Sequence, residues 1–143
     1  MGDRRQAREL ALQALFSFDL DASDPDERMA AFCANNEESL TQGVKPFFLD
    51  LVKGVKENES QIDALLNRYS KNWKISRMPV VDRNIMRIAI FEFLKRTDIP
   101  CSVTINEAVE IGKKYGTRDS GAFINGVLDR IKSLEGLEIA DKS

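Results

Sequence analysis

Apolar residues recur at intervals of three and four along most of this chain, and strict apolar–polar alternation is confined to Cys101–Ile105. That rhythm belongs to amphipathic helices, so the expected class is all-α. Laid out at about 100° per residue, the stretch from about Asp3 to Leu20 gathers Ala7, Leu10, Ala11, Ala14, Leu15 and Phe18 on one broad face. Leu12 and Phe16 fall on a second stripe, which also carries Arg5. The first helix therefore has more apolar surface than a single packing face uses.

Asp24-Pro25-Asp26-Glu27 reads as a capping box with proline at the first helical position, opening a second helix that ends near Asn35-Asn36 before a polar loop, Glu37–Gly43. A third helix, about Lys45–Asn58, presents Val44, Phe47, Phe48, Leu51, Val52 and Val55, and a fourth, about Ser60–Tyr69, presents Ile62, Leu65, Leu66 and Tyr69. The stretch 70–78 has no clear period and links two halves, about 1–70 and about 79–134. Pro79 opens a fifth helix whose Val81, Ile85, Met86, Ile88, Ala89, Ile90, Phe91, Phe93 and Leu94 point in nearly every direction, as in a helix at the centre of a bundle. Thr104 with Glu107 is a capping-box candidate for a sixth helix that Gly116 stops, and Ser120 can cap a seventh carrying Phe123, Val127, Leu128 and Ile131. Gly126 is a candidate for a close helix crossing, and the tail from Leu137 is expected to fray. The sum is about seven helices in two small packed bundles, one domain over 1–143.

With 143 residues the chain has room for one compact domain and not for an enzyme domain plus a binding domain. It contains no histidine, which removes catalytic triads, histidine metal clusters and imidazole acid–base chemistry. Cys33 and Cys101 lack CxxC spacing and suggest thiols in a reducing compartment, with neither zinc nor disulfide. The start, Met1–Phe18, has two arginines ahead of an apolar run, but Glu9 and Gln13 interrupt it and no small-residue cleavage site follows, so a mature helix in a cytoplasmic protein is expected. Asp19–Asp24 imitates the start of a calcium loop, yet its sixth position is Asp24 and its twelfth Ala30, so it reads as a solvated turn. Glu92 shares a stripe with Val81, Ile85 and Ile88, and Arg96 is its local candidate partner. No glycine-rich phosphate loop follows a strand. The sequence thus predicts no catalytic residue, no metal and no cofactor.

Charge narrows the field further. A net charge of −2 excludes a uniformly basic surface, but not local patches. Arg4, Arg5 and Arg8 sit within about 100° of arc in the first turns of a helix, where each opposes the macrodipole at ~0.3–1 kcal/mol. An anionic ligand such as RNA backbone explains that choice; so does a merely solubilising helix start. Arg68, Lys71, Lys74 and Arg77 interleave with Tyr69 and Trp73, a pattern that suits single-stranded nucleic acid and equally a packing anchor between the halves. Lys113 and Lys114 are accounted for by the helix C-terminus.

Three blocks carry a family resemblance: Arg4-Arg5-Gln6-Ala7-Arg8-Glu9 continuing to Phe16; Pro79-Val80-Val81-Asp82-Arg83 through Ile99-Pro100; and Ile105-Asn106-Glu107-Ala108-Val109-Glu110 through Asp119-Ser120-Gly121-Ala122-Phe123-Ile124-Asn125-Gly126 to Asp129. In them the chain resembles the NusB family of bacterial transcription antitermination factors, over about residues 3 to 134. The resemblance implies a non-catalytic protein of two helical bundles that joins ribosomal protein NusE, binds the boxA segment of nascent RNA and helps RNA polymerase read through terminators, particularly in ribosomal RNA operons. It implies RNA contacts by Arg4, Arg5 and Arg8, with Asp119 and Phe123 near RNA, and a NusE-binding surface at Phe16 and Asp82. The spare stripe with Leu12 joins the partner surface, and Tyr69 the RNA candidates. Gln6 stands where another arginine is frequent, Ala122 where a lysine often precedes the aromatic, and Met78 where a serine is usual. Fewer phosphate contacts and low RNA affinity without the partner follow. Two rival readings remain: a helical protein-interaction or homodimerisation module without specific RNA binding, and an RNA cytosine methyltransferase, whose strands and catalytic cysteine domain this chain lacks.

Overall fold

The computed structural model describes residues 2–20, 24–70 and 74–137. Its elements are α1 (Gly2–Leu20), α2 (Pro25–Asn35), α3 (Lys45–Glu57), α4 (Glu59–Tyr69), a 3-10 turn (Ile75–Arg77), α5 (Val80–Lys95), α6 (Cys101–Tyr115) and α7 (Ser120–Leu134), with no strand among the described residues. The class is all-α, with seven α-helices among the described residues where about seven were expected, and the boundaries agree to within a residue or two except at α6. None of the described helices is long and apolar enough to cross a membrane. Trp73 and Lys71 of the basic–aromatic stretch, and Asp21–Ser23 of the acidic turn, lie outside the described residues.

α5 is the axis. It is apolar on nearly every side, so it can only be satisfied by neighbours all round, and α1, α3, α4, α6 and α7 supply them. Of its 16 residues, 11 are buried. α3 comes closest at Gly54, where a Cβ would stand 2.1 Å from the Phe91 ring; this is the tight crossing that the sequence reading assigned to Gly126, whose Cα faces open space. α6 and α7 form an antiparallel pair, with Gly112 close under Ile124. α2 has no buried residue and is held by Phe32 stacked on Phe48 at 5.6 Å between centroids.

α1 packs on α3 with one side and on α5 with another. Its second stripe is therefore consumed within the molecule as far as Leu12, which is 3% exposed. Leu12 is core, and its expected place on a partner surface is corrected: a helix with two neighbours needs two apolar faces.

Three local expectations also change. α6 starts at Cys101, behind Pro100, whose carbonyl accepts from the Val103 and Thr104 N–H groups at 3.0 and 3.2 Å, so Thr104 and Glu107 lie inside the helix and form no capping box. Asp119, not Ser120, occupies the cap of α7; Ser120 is its first helical residue. Of the tail expected to fray, Leu137 itself is anchored: Gly136 turns through φ 74°, the Leu137 N–H reaches the Lys132 carbonyl at 2.9 Å, and the side chain packs on the core, while 138–143 lie outside the described residues.

Candidate nucleic-acid and partner interface

The arginines of α1 share one helix end but occupy three different environments. Arg8 is 4% exposed, between Ala7 and Ala11 on the buried side. Its Nε and Nη2 each donate to Glu92 at 2.8 Å, and the Thr104 hydroxyl donates to the same carboxylate at 2.8 Å. Glu92 is 1% exposed, so this is a paired and hydrogen-bonded buried charge that ties α1, α5 and α6 together. Arg8 is thereby corrected from RNA contact to structural ion pair. The reason is depth: its side chain points at α5, and a phosphate would have to replace Glu92 inside the core. Glu92 is likewise not paired with Arg96, which instead meets Asp50 at 2.8 Å and Asp98 at 3.0 Å.

Arg5 is intermediate. It grips Glu107 of α6 with two parallel bonds, Nε to Oε1 at 2.6 Å and Nη2 to Oε2 at 2.5 Å, and its side chain keeps 30% of its exposure. The Arg5 guanidinium holds the Glu107 carboxyl below its ordinary value, against burial. Arg4 is 54% exposed, with Asp98 at 3.8 Å as an ionic neighbour. The guanidinium carbons of Arg4, Arg8 and Arg96 lie 5.2, 5.3 and 5.0 Å from the centre of the Phe47 ring. An open cleft of about 580 Å³, bordered by Arg4, Arg8, Val103 and Glu107, adjoins this cluster.

At the far end of α1 the chemistry reverses. Phe16 is 36% and Leu20 71% exposed, one turn apart on the same face. Asp19 between them bonds Asn84 at 2.9 Å, which sets this end of α1 against the first turns of α5. There Asp82, 3% exposed, accepts from the Ser120 hydroxyl at 2.7 Å; burial raises its carboxyl above the ordinary value although Ser120 works the other way. Ser120 Oγ also accepts from the Thr117 N–H at 2.8 Å, closing the turn into α7. Asp82, Asp119 and Phe123 border one cleft of about 270 Å³ together with Pro79 and Thr117. Asp82 is thus mostly covered where a partner contact was expected, and it borders that cleft.

Tyr69 joins neither cluster. Its hydroxyl donates to Glu135, just beyond α7, about 18 Å along that helix from Phe123. Residues that sequence reasoning passed over connect the two ends instead. Glu9 accepts from Lys114 at 2.8 Å and from Tyr115 at 2.6 Å, so α6 runs beside α1 with a lysine and a tyrosine, 37% exposed, partway between the basic end and the cleft. Burial opposes the Glu9 charge, yet Lys114 and Tyr115 hold its carboxyl below the ordinary value. Exposed Arg118 follows in the turn to α7. The cations of α6 had been assigned to the helix dipole, and a contact across 105 positions leaves no local signal.

The NusB family model matches residues 5–133. A transcription antitermination protein NusB from Desulforapulum autotrophicum is 63% identical over 142 residues, covering 99% of both chains. One from Geobacter sulfurreducens is 49% identical over 133 residues, covering 93% of this chain and 96% of its own. Among solved structures, NusB from T. maritima is 40% identical with a TM-score of 0.80 over 91% of this chain and 90% of that one. A chain in the crystal structure of antitermination factors NusB and NusE in complex with double-stranded RNA shares the fold, with a TM-score of 0.83 over 94% of this chain and 98% of that one at 24% identity.

Proposed function

Because the chain belongs to the NusB family, we propose that it is a transcription antitermination factor, a non-enzymatic cytoplasmic adaptor that joins boxA RNA of nascent ribosomal RNA operon transcripts to ribosomal protein NusE in the RNA polymerase antitermination complex. The observation that carries this reading is the polarity of α1: an exposed arginine, Arg4, at one end and exposed Phe16 and Leu20 at the other. RNA takes the basic end and the side that runs by Lys114 and Tyr115 towards Asp119 and Phe123. NusE takes Phe16 and Leu20, with Asp82 recessed in the adjoining cleft. Fully covering an exposed large apolar side chain contributes about 1.5–3 kcal/mol; Phe16 at 36% exposed and Leu20 at 71% together have about one such side chain's worth left to gain.

Anisotropy of labelled boxA RNA, titrated with the chain and NusE at several salt concentrations, tests this. Each phosphate neutralised on single-stranded RNA contributes about 0.7 to the slope of log K against log salt. Arg4→Ala is expected to flatten the slope by about that amount; an unchanged slope removes Arg4 from the interface. The same exposed Phe16 and Leu20 would suit a second copy of this chain, the reading favoured if light scattering finds concentration-dependent dimers that ignore RNA and NusE.

A further inference from the structure

Arg5 and Arg8 carry the same fork on neighbouring turns, yet their counter-charges differ in kind. Glu92 is sealed, at 1% side-chain exposure, and Thr104 completes its hydrogen bonding. Glu107 keeps 16% exposure, borders the open cleft beside Arg4, and gives both oxygens to Arg5. A carboxylate on a guanidinium fork has the two-oxygen geometry of a phosphodiester on the same fork. We propose that Arg5 is an exchangeable phosphate site whose resident occupant is the chain's own Glu107, so that an RNA phosphodiester engages Arg5 by displacing that carboxylate. The proposal rests on RNA being the anionic partner.

Two features make the exchange feasible. The pair is bidentate, but its side chains keep 30% and 16% of their exposure, so solvent screens it and opening costs about 1 kcal/mol. The displaced carboxylate also has somewhere to go: Glu107 Oε1 already lies 3.5 Å from Arg8 Nη1, on the side away from Arg5 Nη2. The other acids that face Arg5 are occupied elsewhere, Glu9 by Lys114 and Tyr115, and Glu110 by Lys113 at 3.3 Å. Among the described residues, Glu107 is therefore the acid that sets how much of Arg5 is offered to solution.

The test compares Glu107→Gln and Glu107→Ala with Glu110→Gln, which removes the same charge one turn along α6 without freeing Arg5. With single-stranded boxA RNA, the Glu107 variants should bind up to about fivefold more tightly than Glu110→Gln, the gain expected from abolishing a weak competing closed state. The gain should vanish when Arg5→Ala is added. Equal affinities for the Glu107 and Glu110 variants, or a gain that survives Arg5→Ala, overturn the proposal. Salt needed for elution from immobilised heparin is read on the same proteins: later elution of the Glu107 variants supports the site, and co-elution with Glu110→Gln refutes it. Failure of the unaltered chain with NusE to bind RNA at all would instead sink the functional reading, leaving heparin to decide the site. Melting curves confirm that each variant is folded.

Discussion

Replacing Arg8 with alanine separates the two roles that can be given to the arginine-rich start. Glu92 accepts three hydrogen bonds, two from Arg8 and one from Thr104, at 1% exposure. Without Arg8 the carboxylate keeps only the Thr104 bond, and breaking a buried pair from one side costs about 3–5 kcal/mol. Against a total stability of about 5–15 kcal/mol for a domain, that is a large share. At roughly 3 °C per kcal/mol for a chain of this size, Tm should fall by about 10–15 °C, followed by circular dichroism at 222 nm. Arg8→Met with Glu92→Leu removes both charges at comparable volume and should recover most of the loss. At a temperature where Arg8→Ala is folded, its RNA salt slope should match that of the unaltered chain. A variant that melts within about 3 °C of the unaltered chain but loses RNA binding would refute this reasoning and return Arg8 to the RNA interface.

Phe16→Asp should abolish co-purification with NusE while leaving the helical spectrum intact, since the side chain is already partly in solvent; retained binding counts against the partner surface. Asp82 carries a carboxyl raised by burial, so its charged form is penalised at neutral pH, and its proton-linked contribution is fully present below its unfolded value and is lost as pH rises through the folded one. Asp82→Asn should accordingly raise Tm at pH 7, with Ser120 still able to donate, and the gain should shrink towards pH 3; a loss at pH 7 would show that Ser120 outweighs burial. Gly54→Ala drives a methyl into the Phe91 ring and should cost about 1–3 kcal/mol by urea denaturation. No change there would mean that α3 and α5 can separate freely.

The helices were readable because each shows its period within its own residues. α5 declared its central place by being apolar all round, and α1 declared surplus apolar surface. What could not be read was how that surplus is divided. A helical wheel gives azimuth but not neighbours, so Leu12 and Phe16 look equivalent although the first lies among side chains of α5 and α6 and the second stays exposed. The same holds for charge. Arg4, Arg5 and Arg8 form one cluster by spacing, while burial splits them into an open, a clasped and a sealed group, through partners 84 to 102 positions away. Arg96 looked like Glu92's partner because i+4 is the only distance that a sequence displays. Asp82 and Phe123, by contrast, were assigned to different surfaces by the resemblance, and only the turn into α7 shows that they border the same cleft.

α1 runs unbroken for 19 residues, and its buried ion pair clamps it against two other helices. Arg4 and Phe16 are consequently set about 18 Å apart along a stiff rod. Such a rod works as a caliper: whatever grasps one tip stands at a fixed span and azimuth from whatever grasps the other, with no need for the two guests to touch. Splicing an extra half-turn into the middle of α1 would rotate the tips out of phase and lift one of them from its seat on the bundle, and the two attachments would then no longer point at a common companion.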